Sequence, residues 1–169
     1  MCDHCSQKCT KIVLLEPKVV LRGPPEPLPI PQLGILGAGL TASHLCAHAK
    51  GTVKSVKVAN ISGKHTRVSN LRFSLVKDGI RRTLTEFKCG SDNDFDFGFA
   101  DDGLPQQEPD FCNPPSGPVG GGKIYNPLEP LTAFEGVNVE GVWTLRILDE
   151  VFRDTGVLES WKLVIEYEY

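Results

Sequence analysis

The closing stretch of the chain, Gly141 to Tyr169, reads GVWTLRILDEVFRDTGVLESWKLVIEYEY. In its first half Trp143, Leu145 and Ile147 alternate with Val142, Thr144, Arg146 and Leu148. In its second half Trp161, Leu163, Ile165 and Tyr167 alternate with Lys162, Val164, Glu166 and Glu168. Alternation with period two predicts two strands, each with one buried face. The chain's two tryptophans lead those two faces. The acidic run from Asp149 to Asp154, closed by Gly156, predicts a turn between the strands, so the pair is expected to form a hairpin. This fixes a β fold without specifying any chemistry.

The remaining sequence agrees with that class. The 17 Gly and 13 Pro imply many turns, and no amphipathic helix is legible, so the fold class is all-β. A length of 169 residues suits one domain, or one domain with an arm. The net charge of −3 and the lack of any basic block argue against nucleic acid, which needs clustered Lys and Arg. No apolar run approaches a membrane span, so no membrane partner is expected. The amino terminus lacks the basic and apolar regions of a secretory signal. Either the signal lies outside this sequence, or the protein is made and assembled in the cytosol.

Residues 1–30 read as a Cys-rich and Pro-rich arm, and residues 31–169 as the sandwich. Cys2, Cys5 and Cys9, with His4 among them, have a spacing that can supply thiolates to zinc, with His44, Cys46 and His48 as possible further ligands. The alternative is a reducible tail. Prolines 24, 25, 27, 29 and 31 exclude a central strand or a helix and favour extended backbone. That segment is either a stiff linker or a strap laid over a neighbouring protein.

Further strands are expected at Ala42–His48, Val53–Ile61, Asn70–Val76 and Arg82–Phe87, with Lys77-Asp78-Gly79 as a hairpin turn. The glycines from Gly34 to Gly39 follow prolines and precede no helix, so they are no dinucleotide fingerprint. His65 ends a strand with no activated nucleophile near it in sequence, and reads as a hydrogen-bonding residue rather than a catalytic base. The acidic loop around Asp92, Asp94, Asp96, Asp101 and Asp102 is rich in the hard oxygens calcium requires, though it does not have EF-hand spacing. A solvated acidic loop is the alternative. Phe95, Phe97 and Phe99 alternate there and predict a buried aromatic strand. Residues 103–130 are Gly- and Pro-rich and predict a long irregular loop, of a length that is usually functional or partner-facing. Cys89 and Cys112 bracket the acidic loop and would close it in an oxidising setting, a contribution of about 3 kcal/mol.

The motifs G-x-W-T-L-x-x-x-D from Gly141 and D-T-G-x-L-x-x-W-x-L from Asp154 resemble the close of the P domain. That module is the β-sandwich following the catalytic domain in kexin- and furin-like proprotein convertases and many secreted bacterial proteases. Ile30-Pro-Gln-Leu-Gly34 is similar to the family's opening motif, and His65-Thr66 through Leu71 to its H-T-x-x-G-D-L. Tyr125-Asn-Pro127 and Leu131 to Gly136 match in order. Asn70 and Gln32 stand where the family has Asp, and the strand before His65 is one residue longer, as a bulge would make it.

The resemblance implies a jelly-roll, galactose-binding-like sandwich without catalysis of its own, stabilising a protease domain. It implies calcium at the surviving aspartates Asp101, Asp102, Asp149 and Asp154. No catalytic domain precedes Pro29, so the first expectation is a free-standing interaction protein. It would be held on a large assembly through residues 1–30, as a virion decoration protein or in an extracellular assembly, with homo-oligomerisation as a further option. The alternative is a calcium-binding accessory domain of a secreted subtilisin-like serine protease.

Overall fold

The computed structural model describes residues 17–32, 39–90, 93–107, 109–115 and 117–169. Ten strands run in chain order: β1 (Lys18–Gly23), β2 (Leu28–Ile30), β3 (Gly39–Ala47), β4 (Thr52–His65), β5 (Leu71–Lys77), β6 (Ile80–Glu86), β7 (Phe95–Leu104), β8 (Ile124–Tyr125), β9 (Gly141–Asp149) and β10 (Gly156–Glu168). One short helix, α1 (Pro109–Cys112), and 3-10 turns at Val68–Asn70 and Leu131–Phe134 complete the set. Residues 103–130 therefore hold a little regular structure where an irregular loop was expected: α1, β8 and the end of β7.

The strands form a two-sheet β-sandwich. One sheet has the order β1-β10-β4-β7-β8, with β2 also on β10; the other has the order β3-β9-β5-β6. The two closing strands are present where the alternation placed them, but they do not form a hairpin. β9 pairs with β3 and β5, and β10 pairs with β1, β2 and β4. Alternation fixes which face of a strand is buried, not which strand lies beside it. Here the two buried faces look at each other across the core.

Both indoles lie in that core, fully buried. A buried indole N–H needs an acceptor. Trp143 Nε1 donates to the Val139 carbonyl at 3.1 Å. Trp161 Nε1 donates to Ser43 Oγ at 2.9 Å, and so ties β10 to β3 of the opposite sheet. Phe95, Phe97 and Phe99 fill the other half of the core with Phe73, Phe111 and Tyr125, through edge-to-face and stacked contacts. Beside them a disulfide joins Cys89 to Cys112.

Local sequence accounts for the remaining joints. Asp78 and Gly79 both have positive φ and join β5 to β6 as a two-residue hairpin turn, as the Lys77-Asp-Gly79 signal predicts. β4 carries an extra residue opposite β10: Lys162 pairs with Asn60 but Leu163 with Val58. Gly98 on β7 lies against that bulge, where a Cβ would come within 2.7 Å of the Val58 and Ala59 carbonyls. Residues 18–23 and 28–30, read from the sequence as part of an arm, lie on the sheet as β1 and β2. Proline is tolerated there because these are edge ladders.

Candidate functional site

The longest strand of the first half, β4, delivers functional side chains to both ends of the sandwich. At its carboxyl end, His65 pairs with Gly156, the first residue of β10. Gly156 is required there, since a Cβ would sit 2.1 Å from the Lys64 carbonyl oxygen. Asp149, the last residue of β9, lies opposite Leu71 at the start of β5. The loop between β9 and β10 thus folds over the corner where β4 turns into β5.

Two carboxylates hold that loop. Asp149 Oδ2 lies 3.0 Å from His65 Nε2, with neither side chain exposed, and Asp149 Oδ1 accepts the Val151 N–H at 2.9 Å. The Arg67 N–H donates to His65 Nδ1 at 3.0 Å, which leaves Nε2 as the donor to Asp149. Both ring nitrogens are engaged and the ring is buried, so His65 orients the loop and has no open face for a substrate. Asp154 accepts from Thr66 Oγ1 at 2.8 Å and Asn70 Nδ2 at 2.6 Å. The Thr66 bond first, then the Asn70 bond and the nearby Arg67 charge, hold the Asp154 carboxyl below its ordinary value. Gln32 Oε1 accepts the Arg153 N–H at 2.8 Å. The two positions where aspartate gives way to an amide, Gln32 and Asn70, therefore both brace this loop. Braced in this way, the loop presents Val151 and Phe152, 40% and 50% exposed, at its tip.

Near the other end of β4, a cleft of about 380 Å³ opens between Ser55 and Lys57, Glu166 on β10, Asp102 on β7 and the Leu131–Phe134 turn. Asp101 caps that turn, accepting the Leu131 and Thr132 N–H groups at 2.8 and 2.9 Å. Ser55 Oγ donates to Glu166 Oε2 at 3.0 Å.

The four aspartates expected to hold calcium lie in two pairs. Asp101 and Asp102 lie beside Ser55 and Lys57, while Asp149 and Asp154 lie beside His65 and Thr66. Eight residues of strand separate Lys57 from His65, about 26 Å. Calcium takes several oxygens around one point. Here both oxygens of Asp101, Asp149 and Asp154 accept hydrogen bonds from N–H or O–H donors of the protein. Among the described residues, no three His, Cys, Asp or Glu side chains converge to hold a metal ion. Cys2, Cys5 and Cys9 lie outside the described residues. Cys46 is an exposed free thiol, and His44 Nδ1 lies 2.9 Å from Thr144 Oγ1.

Sequence reasoning singled out His65, Asp149 and Asp154 but missed Thr66 as a partner, and missed Glu135 and Glu166 at the cleft. Thr66 and Glu166 meet partners 88 and 111 residues away in the chain, so no local signal marks them.

Residues 53–165 match the profile of the proprotein convertase P-domain. No curated protein sequence matches the chain. Among solved structures, the serine protease of Aeromonas sobria aligns at 22% identity with a TM-score of 0.49, over 91% of this chain and 28% of that one. The complex of Aeromonas sobria serine protease with the chaperone ORF2 aligns at 21% identity and 0.48, over 92% of this chain and 28% of that one. The chain thus spans little more than a quarter of the length of those proteins.

Proposed function

The chain belongs to the proprotein convertase P-domain family, and on that premise we propose that it serves as a non-catalytic accessory module of a subtilisin-like serine protease. The observation that carries this reading is the family match across residues 53–165, which takes in β4 through most of β10. The module's work is mechanical. Its two sheets are cross-linked through Trp161 and Ser43, and its closing loop is fixed by His65, Asn70 and Gln32. A surface held this rigidly loses little entropy when it docks. It can stabilise a catalytic domain against unfolding without touching the scissile bond.

The other reading is attachment to a virion or another large assembly through residues 1–30, and the family match gives it no support. Residues 18–23 and 28–30 are hydrogen-bonded to β10 of the same sheet. The accessory-module reading is therefore preferred.

The test uses the subtilisin-like catalytic domain from the same source, stripped of its own P domain. Adding this chain is expected to lengthen the half-life of proteolytic activity on heating, without changing the initial rate. An unchanged half-life at saturating chain counts against the proposal.

A further inference from the structure

The outer face of the β3-β9-β5-β6 sheet carries a feature that the family relation does not explain. Arg146 on β9 sits in register between Ala42 on β3 and Ser74 on β5. Its two neighbours are short, so its guanidinium stands clear of them. Arg81, on β6, pairs with Val76 and lies diagonally beside Ser74. Together with Arg72, Leu40 and Leu148 these residues line a hollow of about 30 Å³ over Ser74. That is room for a single water or carboxylate head, not for a sugar or a nucleotide.

The charges around the hollow are unequal. Arg72 is met by Glu86 at 2.8 Å and by Glu150 at 4.0 Å. Among the described residues, Arg81 has the more distant field of Glu129, which is itself bonded to the Thr83 N–H and lies 3.7 Å from Arg82. Among the described residues no carboxylate pairs with Arg146. So the Arg81–Arg146 side of the hollow is left positive on a chain whose net charge is −3. The same sheet face exposes Leu40 at 43% and Val142 at 48%. Arginine with exposed apolar residues around it is the composition of a protein-docking surface. A nucleic-acid track would instead need a line of basic residues spaced to phosphates.

We propose that this hollow is a docking notch for an acidic side chain of a partner polypeptide. The carboxylate enters between Arg81 and Arg146, and the apolar residues flanking it in the partner rest on Leu40 and Leu148. The planar guanidinium forks suit a carboxylate. Glu86 and Glu150 repel it from the Arg72 side and so fix its position. The proposal is independent of which protein the module serves.

The test is an NMR titration of the full chain, with labelled arginine side chains, against acetyl-Leu-Glu-Leu-amide and its Gln counterpart. The Glu peptide is expected to give saturable shifts at the side chains of Arg81 and Arg146, with Arg22 and Arg153 as exposed references that stay still. The Gln peptide is expected to give none. Arg146→Gln and Arg81→Gln, on an exposed sheet face, should keep the melting temperature and weaken the response by about tenfold each. Absence of saturable shifts, equal shifts from both peptides, or equal movement of all arginines would overturn the proposal.

Discussion

His65 Nε2 lies 3.0 Å from Asp149 Oδ2, and neither side chain is exposed to solvent. The two residues are 84 positions apart and close the corner where both sheets end. Truncating one member of such a pair leaves a buried polar group without its partner. Asp149→Ala or His65→Ala is expected to cost about 3–5 kcal/mol in urea unfolding. Asp149→Asn should cost less. Its carbonyl can still take the Val151 N–H, and His65 can shift its proton to Nδ1, which lies 2.8 Å from the Arg67 carbonyl. Equal losses for Ala and Asn would show that charge, not hydrogen bonding, holds the corner.

The acid limb of stability should come in part from Asp154 and Glu129. Asp154 is held below 3.8, chiefly by Thr66, and Glu129 below 4.5, chiefly by the Thr83 N–H. A carboxyl lowered on folding contributes stability above its unfolded pKa, and that contribution is lost as pH falls through the lowered folded value. The denaturation midpoint is therefore expected to fall below about pH 4. It should fall less steeply in the double variant Asp154→Asn, Glu129→Gln, as measured by denaturation at stepped pH.

Calcium at Asp101, Asp102, Asp149 or Asp154 is tested by its effect on this arrangement. Asp101, Asp149 and Asp154 already accept hydrogen bonds on both oxygens. Chelator is expected to lower the melting temperature, and an identical melt with and without chelator would remove the calcium reading. A rise in calcium that is lost in Asp154→Ala would show that Asn70 and Thr66 turn aside to admit the ion.

The disulfide between Cys89 and Cys112 closes a loop with a sequence separation of 23 and borders the aromatic half of the core. Cys112→Ser is expected to lower stability by about 3 kcal/mol, read from the urea midpoint. A loss no larger than that of an exposed Ser substitution would mean that the packing of Phe111 carries the loop alone.

Much of this architecture was legible in the residues themselves. The alternations led by Trp143 and Trp161 located β9 and β10, and Phe95, Phe97 and Phe99 located β7, because a half-buried strand must alternate. Asp78-Gly79 marked a hairpin because positive φ suits those residues. The sheet to which each closing strand belongs was not legible, since both orders bury the same faces. β2 was not legible either: an edge ladder tolerates the prolines that argue against a strand. At the candidate site the carboxylates were found by type, but their partners were not. Thr66 with Asp154 and His65 with Asp149 are contacts made only when distant ends of the chain meet.

The central claim is that this module serves a subtilisin-like serine protease. The most direct measurement is isolation of the chain from its native source after treatment with a fluorophosphonate that labels active serine hydrolases. The account predicts that a labelled subtilisin-like protease is recovered with the chain, or on the same polypeptide. Recovery of the chain in a large sedimenting particle with no labelled hydrolase would contradict it.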